Sequence, residues 1–520
     1  MKRAIVRVMA IALILPAAFT TVLASGVELT GVGSRAQAMG GNYRAVAADW
    51  SAMYWNPAGL AFTKGLTAGA SFQVVFPQAT FTVANSLYGM RRNVTYPFSC
   101  VYRNERPNES QAFFLPSAGV AYKVGNNIAF GLGVWAPFGL GSKWDLLRTV
   151  SSNYGRVPGR PFDTYSTKYP NVEYESNLQV IDIHPTVAVQ LSDKLAVGAG
   201  LSFLLTDIYI RKPVYIQNPY LYHPVLAPML DNFAAVRGLS NLLTGMRQYP
   251  FDHLLTQAEL DGNGTGLGAN FGVTFKATDK ISIGASVQYY LDQNLEGTFS
   301  NTIYFPEVMP YQAALTQLAD SVFTPMLQQG MLTPDQYFIL TNYFSGQVVP
   351  QPVKDVKTAL PLPAKFGIGV SYSGLKNTVL TADVAYTQWS AWDTIVIEDK
   401  NGGTAAELVQ NWKNTLRFGV GFEYTAGTAK IRGGFYSEPP AAVDETLTVM
   451  IPDINRRNVF SLGLSVPVGS VSLAFNYEKL FIGDKTVTTW VYDKNSAAQN
   501  LAGTYTLNVN NLMVGIEYKF

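Results

Sequence analysis

One pattern runs through most of this chain to its last residue: apolar and polar side chains alternate with a period of two. In the final segment Leu512, Val514, Ile516, Tyr518 and Phe520 share one parity, and Asn511, Met513, Gly515, Glu517 and Lys519 the other. Leu416, Phe418, Val420, Phe422 and Tyr424 alternate with Arg417, Gly419, Gly421 and Glu423. Ala364, Phe366, Ile368, Val370 and Tyr372 oppose Lys365, Gly367, Gly369 and Ser371, and Val471, Leu473, Phe475 and Tyr477 oppose Ser472, Ala474, Asn476 and Glu478. Neighbouring side chains of a strand point to opposite faces, so each segment has one apolar and one polar face. Beyond the first residues no uncharged apolar run reaches ~18 residues, which argues against a bundle of membrane helices. A soluble sandwich and a membrane barrel both show such alternation. Segments of ~10 residues or more, aromatic residues at their ends and the number of segments favour a barrel, whose backbone is satisfied by closure and whose apolar face meets lipid.

The N-terminus fits export. Lys2, Arg3 and Arg7 precede an apolar stretch from Val8 to Thr20, and Val22-Leu23-Ala24 is followed by small Ser25 and Gly26. That order reads as a signal peptide, residues 1–24, cleaved near Ala24. Pro16 interrupts the apolar stretch, which is short for the ~20 residues of a retained span. No cysteine stands at the cleavage site to carry a lipid. The formal charge is +2; losing three basic residues with the leader leaves 2 − 3 = −1. Such a chain offers no electrostatic footprint for nucleic acid. Cys100 is the sole cysteine, so no internal disulfide forms.

The expected fold is all-β: an antiparallel transmembrane β-barrel of about 14 strands, an even number, with an N-terminal hatch and short helices in extracellular loops. The expected strands cover 65–77, 112–124, 127–140, 172–192, 194–211, 263–278, 280–304, 355–374, 376–398, 412–427, 429–445, 456–468, 470–490 and 503–520. Gly125-Asn126-Asn127 and Gly374-Leu375-Lys376-Asn377 read as tight periplasmic hairpins. The chain thus divides into the leader, a hatch over 25–64 and a barrel over 65–520, with long loops at about 212–262 and 305–354. The terminal Phe520 after an alternating strand resembles the signal read by the barrel-assembly machinery.

Between leader and first strand lies a Gly/Ala-rich string, Gly33 to Phe62, ending in Asn56-Pro57-Ala58-Gly59. A small plug ahead of a large barrel points to gated passage across an outer membrane rather than to catalysis. Asn56, Pro57, Ala58 and Gly59 are expected to turn tightly against the barrel wall. In the first long loop Leu226, Met229, Leu230, Phe233, Val236, Leu239, Leu242, Leu243 and Met246 recur at helical spacing; in the second, Tyr311, Ala314, Leu315, Leu318, Val322 and Met326 do so. Thr333-Pro334-Asp335-Gln336 reads as a capped helix start. Each helix either packs its apolar face on the barrel rim or shares a greasy groove with the other, where adaptable methionines suit an apolar ligand.

These strings resemble the FadL/TodX outer-membrane transporters of hydrophobic compounds. The resemblance covers essentially the whole mature chain. It rests on the hatch string with its Asn56-Pro57-Ala58, on Leu362-Pro363-Ala364-Lys365-Phe366-Gly367 with Ala385-Tyr386-Thr387-Gln388-Trp389-Ser390, and on Ser437-Glu438-Pro439-Pro440 with Ile451-Pro452-Asp453-Ile454-Asn455-Arg456. It implies a monomeric barrel closed by a hatch, capture of ligand at the extracellular loops, an apolar pocket, and exit sideways through a gap at a kinked third strand. Trp135-Ala136-Pro137-Phe138-Gly139-Leu140-Gly141 supplies a candidate kink, since proline cannot donate to a ladder and glycine favours bulges. Pro137, Phe138 and Gly139 are therefore the expected lateral opening; by sequence alone they are equally an ordinary strand end.

Among ligands, a long-chain fatty acid comes first and an aromatic or aliphatic hydrocarbon second. Buried carboxylates need cationic or hydrogen-bonding partners, and Arg211-Lys212 resembles the basic position of fatty-acid members, although a solvated rim pair fits as well. A second basic partner expected before the tenth strand is replaced by Leu408, with Lys413 and Arg417 nearby. The surroundings implied are outer-membrane lipid and lipopolysaccharide. No cofactor, metal or catalytic set is expected: His184, His223 and His253 have no assignable serine or carboxylate partner, and Asp261 to Thr265 lacks the terminal glutamate of a calcium loop. A general diffusion porin is the remaining alternative; its open aqueous lumen conflicts with a hatch and apolar loops.

Overall fold

The computed structural model describes residues 26–29, 31–83, 105–107, 112–144, 174–217, 253–307, 309–489 and 500–519, with positions 170, 172, 228, 231 and 491. The leader, His223 and the first long loop's Leu226, Met229, Leu230 and Phe233 lie outside the described residues. Fourteen strands form the wall: β1 (Leu66–Val83), β2 (Phe113–Val124), β3 (Ile128–Trp144), β4 (Tyr174–Gln190), β5 (Leu195–Gln217), β6 (His253–Lys276), β7 (Ile281–Tyr290), β8 (Lys365–Leu375), β9 (Thr378–Thr387), β10 (Thr415–Ala426), β11 (Ala429–Glu438), β12 (Arg457–Val468), β13 (Val471–Ile482) and β14 (Gly503–Lys519). Each pairs antiparallel with its neighbours in sequence. The ring closes where β1 pairs with β14, from Thr67↔Lys519 to Val83↔Gly503.

Alternation sets which side chains line the lumen. Along β10, Thr415, Arg417, Gly419, Gly421 and Glu423 face inward, while Leu416, Phe418, Val420, Phe422 and Tyr424 are exposed. Phe418 is 51% exposed and Arg417 6% exposed, the reverse of a water-soluble domain. An outward apolar band is stable only against hydrocarbon, so the wall is a membrane barrel. One end has short turns, with Gly125 and Asn377 at positive φ of 59° and 57°. Glycine and asparagine tolerate that left-handed region. Long connections leave the other end.

The strands depart from their expected bounds in both directions. β1 runs on to Val83, β5 to Gln217, and β6 starts at His253, so the first long loop is shorter than 212–262. The expected strands 280–304, 355–374, 376–398 and 470–490 are each broken in two. Above β7 to β10 the sheet continues in separate outer segments, Gln293–Tyr304, Lys354–Leu360, Thr394–Asp399 and Thr404–Val409. Pro361 and Pro363, which cannot donate to a ladder, separate Lys354–Leu360 from β8. β11 stops at Glu438 rather than 445, because Pro439 and Pro440 follow. Gly264, Gly266 and Gly268 lie in β6 where the outer segment of β7 crosses close: an added Cβ would meet Asn294 O at 2.0 Å, Gln293 Oε1 at 1.9 Å and Tyr290 Cδ1 at 2.6 Å.

Inside the ring sits the hatch, with helices α1 (Ser34–Ala38) and α2 (Ala52–Trp55) and a 3-10 turn, Pro57–Phe62. On the rim, α3 (Met309–Leu318) passes through a π-helical turn, Ala319–Phe323, into α4 (Thr324–Gln328), and α5 (Pro334–Asn342) packs beside them. α5 starts with a full capping box: Gln336 N donates to Thr333 Oγ1 at 3.2 Å and Thr333 N to Gln336 Oε1 at 2.9 Å.

Candidate functional site: hatch, chamber and lateral gap

The hatch is held to the wall by polar contacts whose donors and acceptors come from both. Asn56 is its anchor: Nδ2 donates to Arg44 O at 2.9 Å, Val273 O at 3.1 Å and Thr274 Oγ1 at 3.0 Å, while Oδ1 accepts from Ala58 N at 3.3 Å. Pro57, with its fixed φ, opens the 3-10 turn. Asn42 Nδ2 reaches Val420 O and Phe435 O at 2.8 and 3.1 Å. Arg44 pairs with Asp383 at 2.9 Å, Arg35 with Glu423 at 2.8 Å, and Glu28 with Lys365. Each buried charge in these pairs meets its opposite, which is what burial of charge requires. The inward glycines of the strands form the seat. A Cβ on Gly434 would lie 2.1 Å from Met39 C, one on Gly284 2.2 Å from Arg44 O, and one on Gly198 2.4 Å from Pro57 C. Gly59 lies against Ala47, where a Cβ would come within 2.0 Å of the carbonyl oxygen.

β3 breaks where its proline stands. Its ladder with β4 shifts register between Trp135↔Asp182 and Phe138↔Val180, so Ala136 and Pro137 form a bulge. On the other side the β2–β3 ladder ends at Ala118↔Val134. Both strands continue past that point, β2 from Ser117 to Phe113 along β1 and β3 from Trp135 to Trp144 along β4. Between them the wall is unzipped. The hatch N-terminus lies along this edge: Leu29 N donates to Pro137 O and Gly139 N to Val27 O, each at 2.8 Å, with an isolated bridge Glu28↔Phe138. Backbone groups that β2 leaves unpaired are thus satisfied by the hatch. Sequence reasoning placed Pro137 to Gly139 at a kink but did not foresee that partner, because so short a segment, which opens in a turn at Gly26 and Val27, has no periodicity to read.

Val27 and Leu29 of the hatch tip join a buried apolar cluster inside the ring, the candidate chamber. Phe138 turns inward against Tyr290 and Trp389, with ring centroids 5.5 and 6.5 Å away. Leu115, Leu140, Leu178, Val180 and Leu204 extend the same cluster. The hatch tip ends on a tryptophan cage: Gly26 leaves no room for a Cβ between Trp389 and Trp412, and Trp412 stacks on Trp392 at 4.7 Å.

The candidate carboxylate partners separate. Arg211 and Lys212 are neighbours in β5 and so face opposite sides. Arg211 Nε lies 2.9 Å from Glu259 Oε1 in a partly exposed pair. Lys212 has the inward parity of Ile208 and Ile210, which pack against the chamber. Of the alternatives before β10, Lys413 is exposed, Leu408 packs against the chamber, and Arg417 is held by Gly40 O and lies 3.7 Å over the Tyr436 ring. In the second long loop Leu315, Leu318, Val322 and Met326 are all buried, packed with Leu254, Phe305, Phe323 and Tyr343 in a separate rim core.

The structure also supplies what sequence spacing could not: His184 has partners. Its Nδ1 lies 3.0 Å from Ser202 Oγ and 3.3 Å from Asp182 Oδ2, and Ser202 Oγ donates to Asp182 Oδ2 at 2.9 Å. Serine and carboxylate both stand at Nδ1, whereas an acyl-transfer relay needs them on opposite ring nitrogens. The set is not a nucleophile relay. Asp261 to Thr265 lies within β6 rather than in a loop, and no group of metal-ligating side chains gathers among the described residues.

Residues 15–520 match the model of a family described as outer membrane protein transport protein (OMPP1/FadL/TodX). The 47 kDa outer membrane protein of Pasteurella multocida (strain Pm70) is 26% identical over 259 residues, 49% of this chain and 52% of that protein. The chain thus spans about half the length of the curated relative it matches. The fold resembles that of a Pseudomonas aeruginosa FadL homologue, with TM-score 0.68 and 17% identity over 95% of this chain and 100% of that one. It also resembles the P. putida toluene transporter TodX, with TM-score 0.62 and 15% identity over 95% and 99%. The Ralstonia pickettii toluene transporter TbuX follows, with TM-score 0.58 and 18% identity over 94% and 98%. At such identities these structures bear on the fold alone. The family match over nearly the whole length, on a closed barrel with a lipid-facing wall, settles the assignment: this chain belongs to the OMPP1/FadL/TodX family of outer membrane transport proteins.

Proposed function

We propose that the protein is a passive uptake channel for hydrophobic molecules, with long-chain fatty acids as first choice of ligand. The observation that carries this reading is the unzipped stretch between β2 and β3, which adjoins the apolar chamber and is edged by the hatch tip. A molecule entering from the loops moves into the chamber, displaces the hatch tip and leaves sideways into lipid. Transfer into hydrocarbon releases roughly 25 cal/mol per Å² of apolar area, so no energy source is needed for that step. Asn56 to Gly59 hold the hatch in register with the wall while its tip moves. Leu315, Leu318, Val322 and Met326, buried in the rim core, hold the second loop's shape rather than touch ligand; Leu226, Met229, Leu230 and Phe233 lie outside the described residues.

Hydrocarbon uptake by the same route is favoured by one observation: of the two basic candidates Arg211 is already paired with Glu259. The test is uptake of labelled oleate and labelled toluene at limiting concentration, in cells lacking their own fatty-acid channel, beside a variant lacking Pro137. Oleate uptake that the variant loses supports the fatty-acid reading. Toluene uptake alone moves the protein to hydrocarbons, and entry of sugars and ions alone makes it a porin.

A further inference from the structure

Between the apolar chamber and the hatch lies a polar cluster that neither the hatch contacts nor the gap accounts for. Along β4 the inward side chains change from Leu178 and Val180 to Asp182, His184 and Thr186. Trp135 of β3 is the cross-strand partner of Asp182 and stands just before the bulge. Its ring centroid is 5.1 Å from that of His184 and 5.8 Å from that of Tyr54 in the hatch. Trp135, His184 and Asp182 are each 1% exposed.

Several polar atoms here have no partner among the described residues: Trp135 Nε1, His184 Nε2, Asp182 Oδ1, Asn270 Oδ1 and Thr186 Oγ1. Buried polar atoms left unpaired are costly and are rare in folded proteins. Their chemistry is unequal. Ser202 Oγ donates to Asp182 Oδ2 and so accepts from His184 Nδ1–H; in the tautomer with the ring proton on Nδ1, Nε2 is the acceptor nitrogen. Asn270 donates through Nδ2 to Met53 O at 2.6 Å, which leaves its Oδ1 as acceptor. His184 Nε2 and Asn270 Oδ1 both pack against Gly200 and fill its face, 2.2 and 2.7 Å from where a Cβ would stand. Set against these acceptors and the Asp182 carboxylate is the indole N–H of Trp135, with the threonine hydroxyl able to play either part. A group that complements the cluster must donate as well as accept. A carboxylate only accepts, and it would face Asp182; a pure hydrocarbon does neither.

We propose that this cluster is a binding site for the hydroxyl group of a neutral amphiphile, an alcohol or phenol whose apolar body lies in the chamber. The hydroxyl oxygen accepts from Trp135 Nε1–H and its proton goes to an acceptor of the cluster. Tyr54, held through its own hydroxyl to Glu28 Oε1 at 3.2 Å, covers Trp135 from the hatch side. The site opens when that hatch contact moves, at the level of the lateral gap. The proposal rests on the channel reading above for how the ligand arrives, and on the cluster's own atoms for what it takes.

The size-matched set of toluene, benzyl alcohol and benzoate tests it. Protein labelled with 15N at the tryptophan indoles is held in detergent, and the Trp135 N–H signal is assigned from its loss in Trp135→Phe. Benzyl alcohol is expected to shift that signal saturably, and to bind about fivefold to tenfold tighter than toluene, the discrimination of one or two neutral hydrogen bonds. Benzoate is expected to leave it in place. Asp182→Asn is expected to weaken benzyl alcohol at least threefold more than toluene, in barrels whose heat-modified gel mobility shows them folded. A Trp135 signal unmoved by saturating benzyl alcohol overturns the proposal. So does an equal shift by toluene and benzyl alcohol, or a stronger one by benzoate. Toluene flux into vesicles, measured separately, tests the channel reading; its failure with an intact benzyl alcohol shift strikes that reading and not the site.

Discussion

At the scale of the residue, Asn56 ties the hatch to the wall with three donated hydrogen bonds and one accepted. Asn56→Ala removes all of them at a cost of about 1–3 kcal/mol to the seated hatch, because buried carbonyls lose their donor. Ligand uptake is expected to fall while the amount of folded barrel in the membrane stays the same; loss of the barrel itself overturns the gating role. Gly434 gives a sharper case. Gly434→Val puts a side chain where Met39 backbone now lies, so the hatch backbone is displaced while the wall ladder of β11 is kept. Single-channel recording is expected to show stable ion conductance where the unmodified protein is nearly closed. Gly198, Gly284 and Gly434 leave room on the inward faces of their strands. What fills that room is chain about 140 residues or more away in sequence, which a local pattern cannot reveal.

At the scale of the element, β3 shows how much a motif can say. The order Trp135-Ala136-Pro137-Phe138-Gly139 marked a break, since proline removes a donor. The structure turns that break into a gap, because β2 pairs with β3 only as far as Ala118↔Val134. Deleting Pro137 shortens the bulge by one residue and lets β3 pair further. Uptake is expected to drop at least tenfold, with the thermal midpoint of the barrel unchanged or higher; unaltered uptake argues against exit at this place. The hatch as an element depends on buried ion pairs. Arg44→Ala leaves Asp383 buried without its cation and is expected to cost about 3–5 kcal/mol of hatch seating, whereas the Arg44→Ala/Asp383→Ala pair costs less. Hydrogen exchange of the hatch amides, compared between the single and double variants, checks the order. Arg211, by contrast, forms a partly exposed pair with Glu259, and Arg211→Ala is expected to change stability by about 1 kcal/mol or less in a urea titration.

At the scale of the whole molecule, the wall inverts the usual arrangement, with aromatic and branched side chains outside and charges within. Phe418→Arg, on the outward face of β10, is expected to destabilise the barrel in lipid by about 2–4 kcal/mol if it lies near the bilayer midplane, measured by denaturant-driven release from vesicles. The amino-acid order by itself determined this much: period-two alternation marked the strands and the face each residue takes, strand length, number and aromatic ends favoured a closed ring, and the N-terminal leader pointed to export. The reason is that lipid imposes one rule on every strand, so each segment carries the signal locally. The plug string, the capped helix at Thr333 and the break at Pro137 were legible for the same cause, being short-range chemistry. Only the tertiary structure decided that the hatch tip completes the edge of β3, that Arg211 answers to Glu259 while Lys212 turns inward, and that Asp182, His184 and Ser202 meet beside Trp135. Those pairings join residues through ladder register and lumen packing. Register and packing are properties of the closed ring, and no window of sequence contains them.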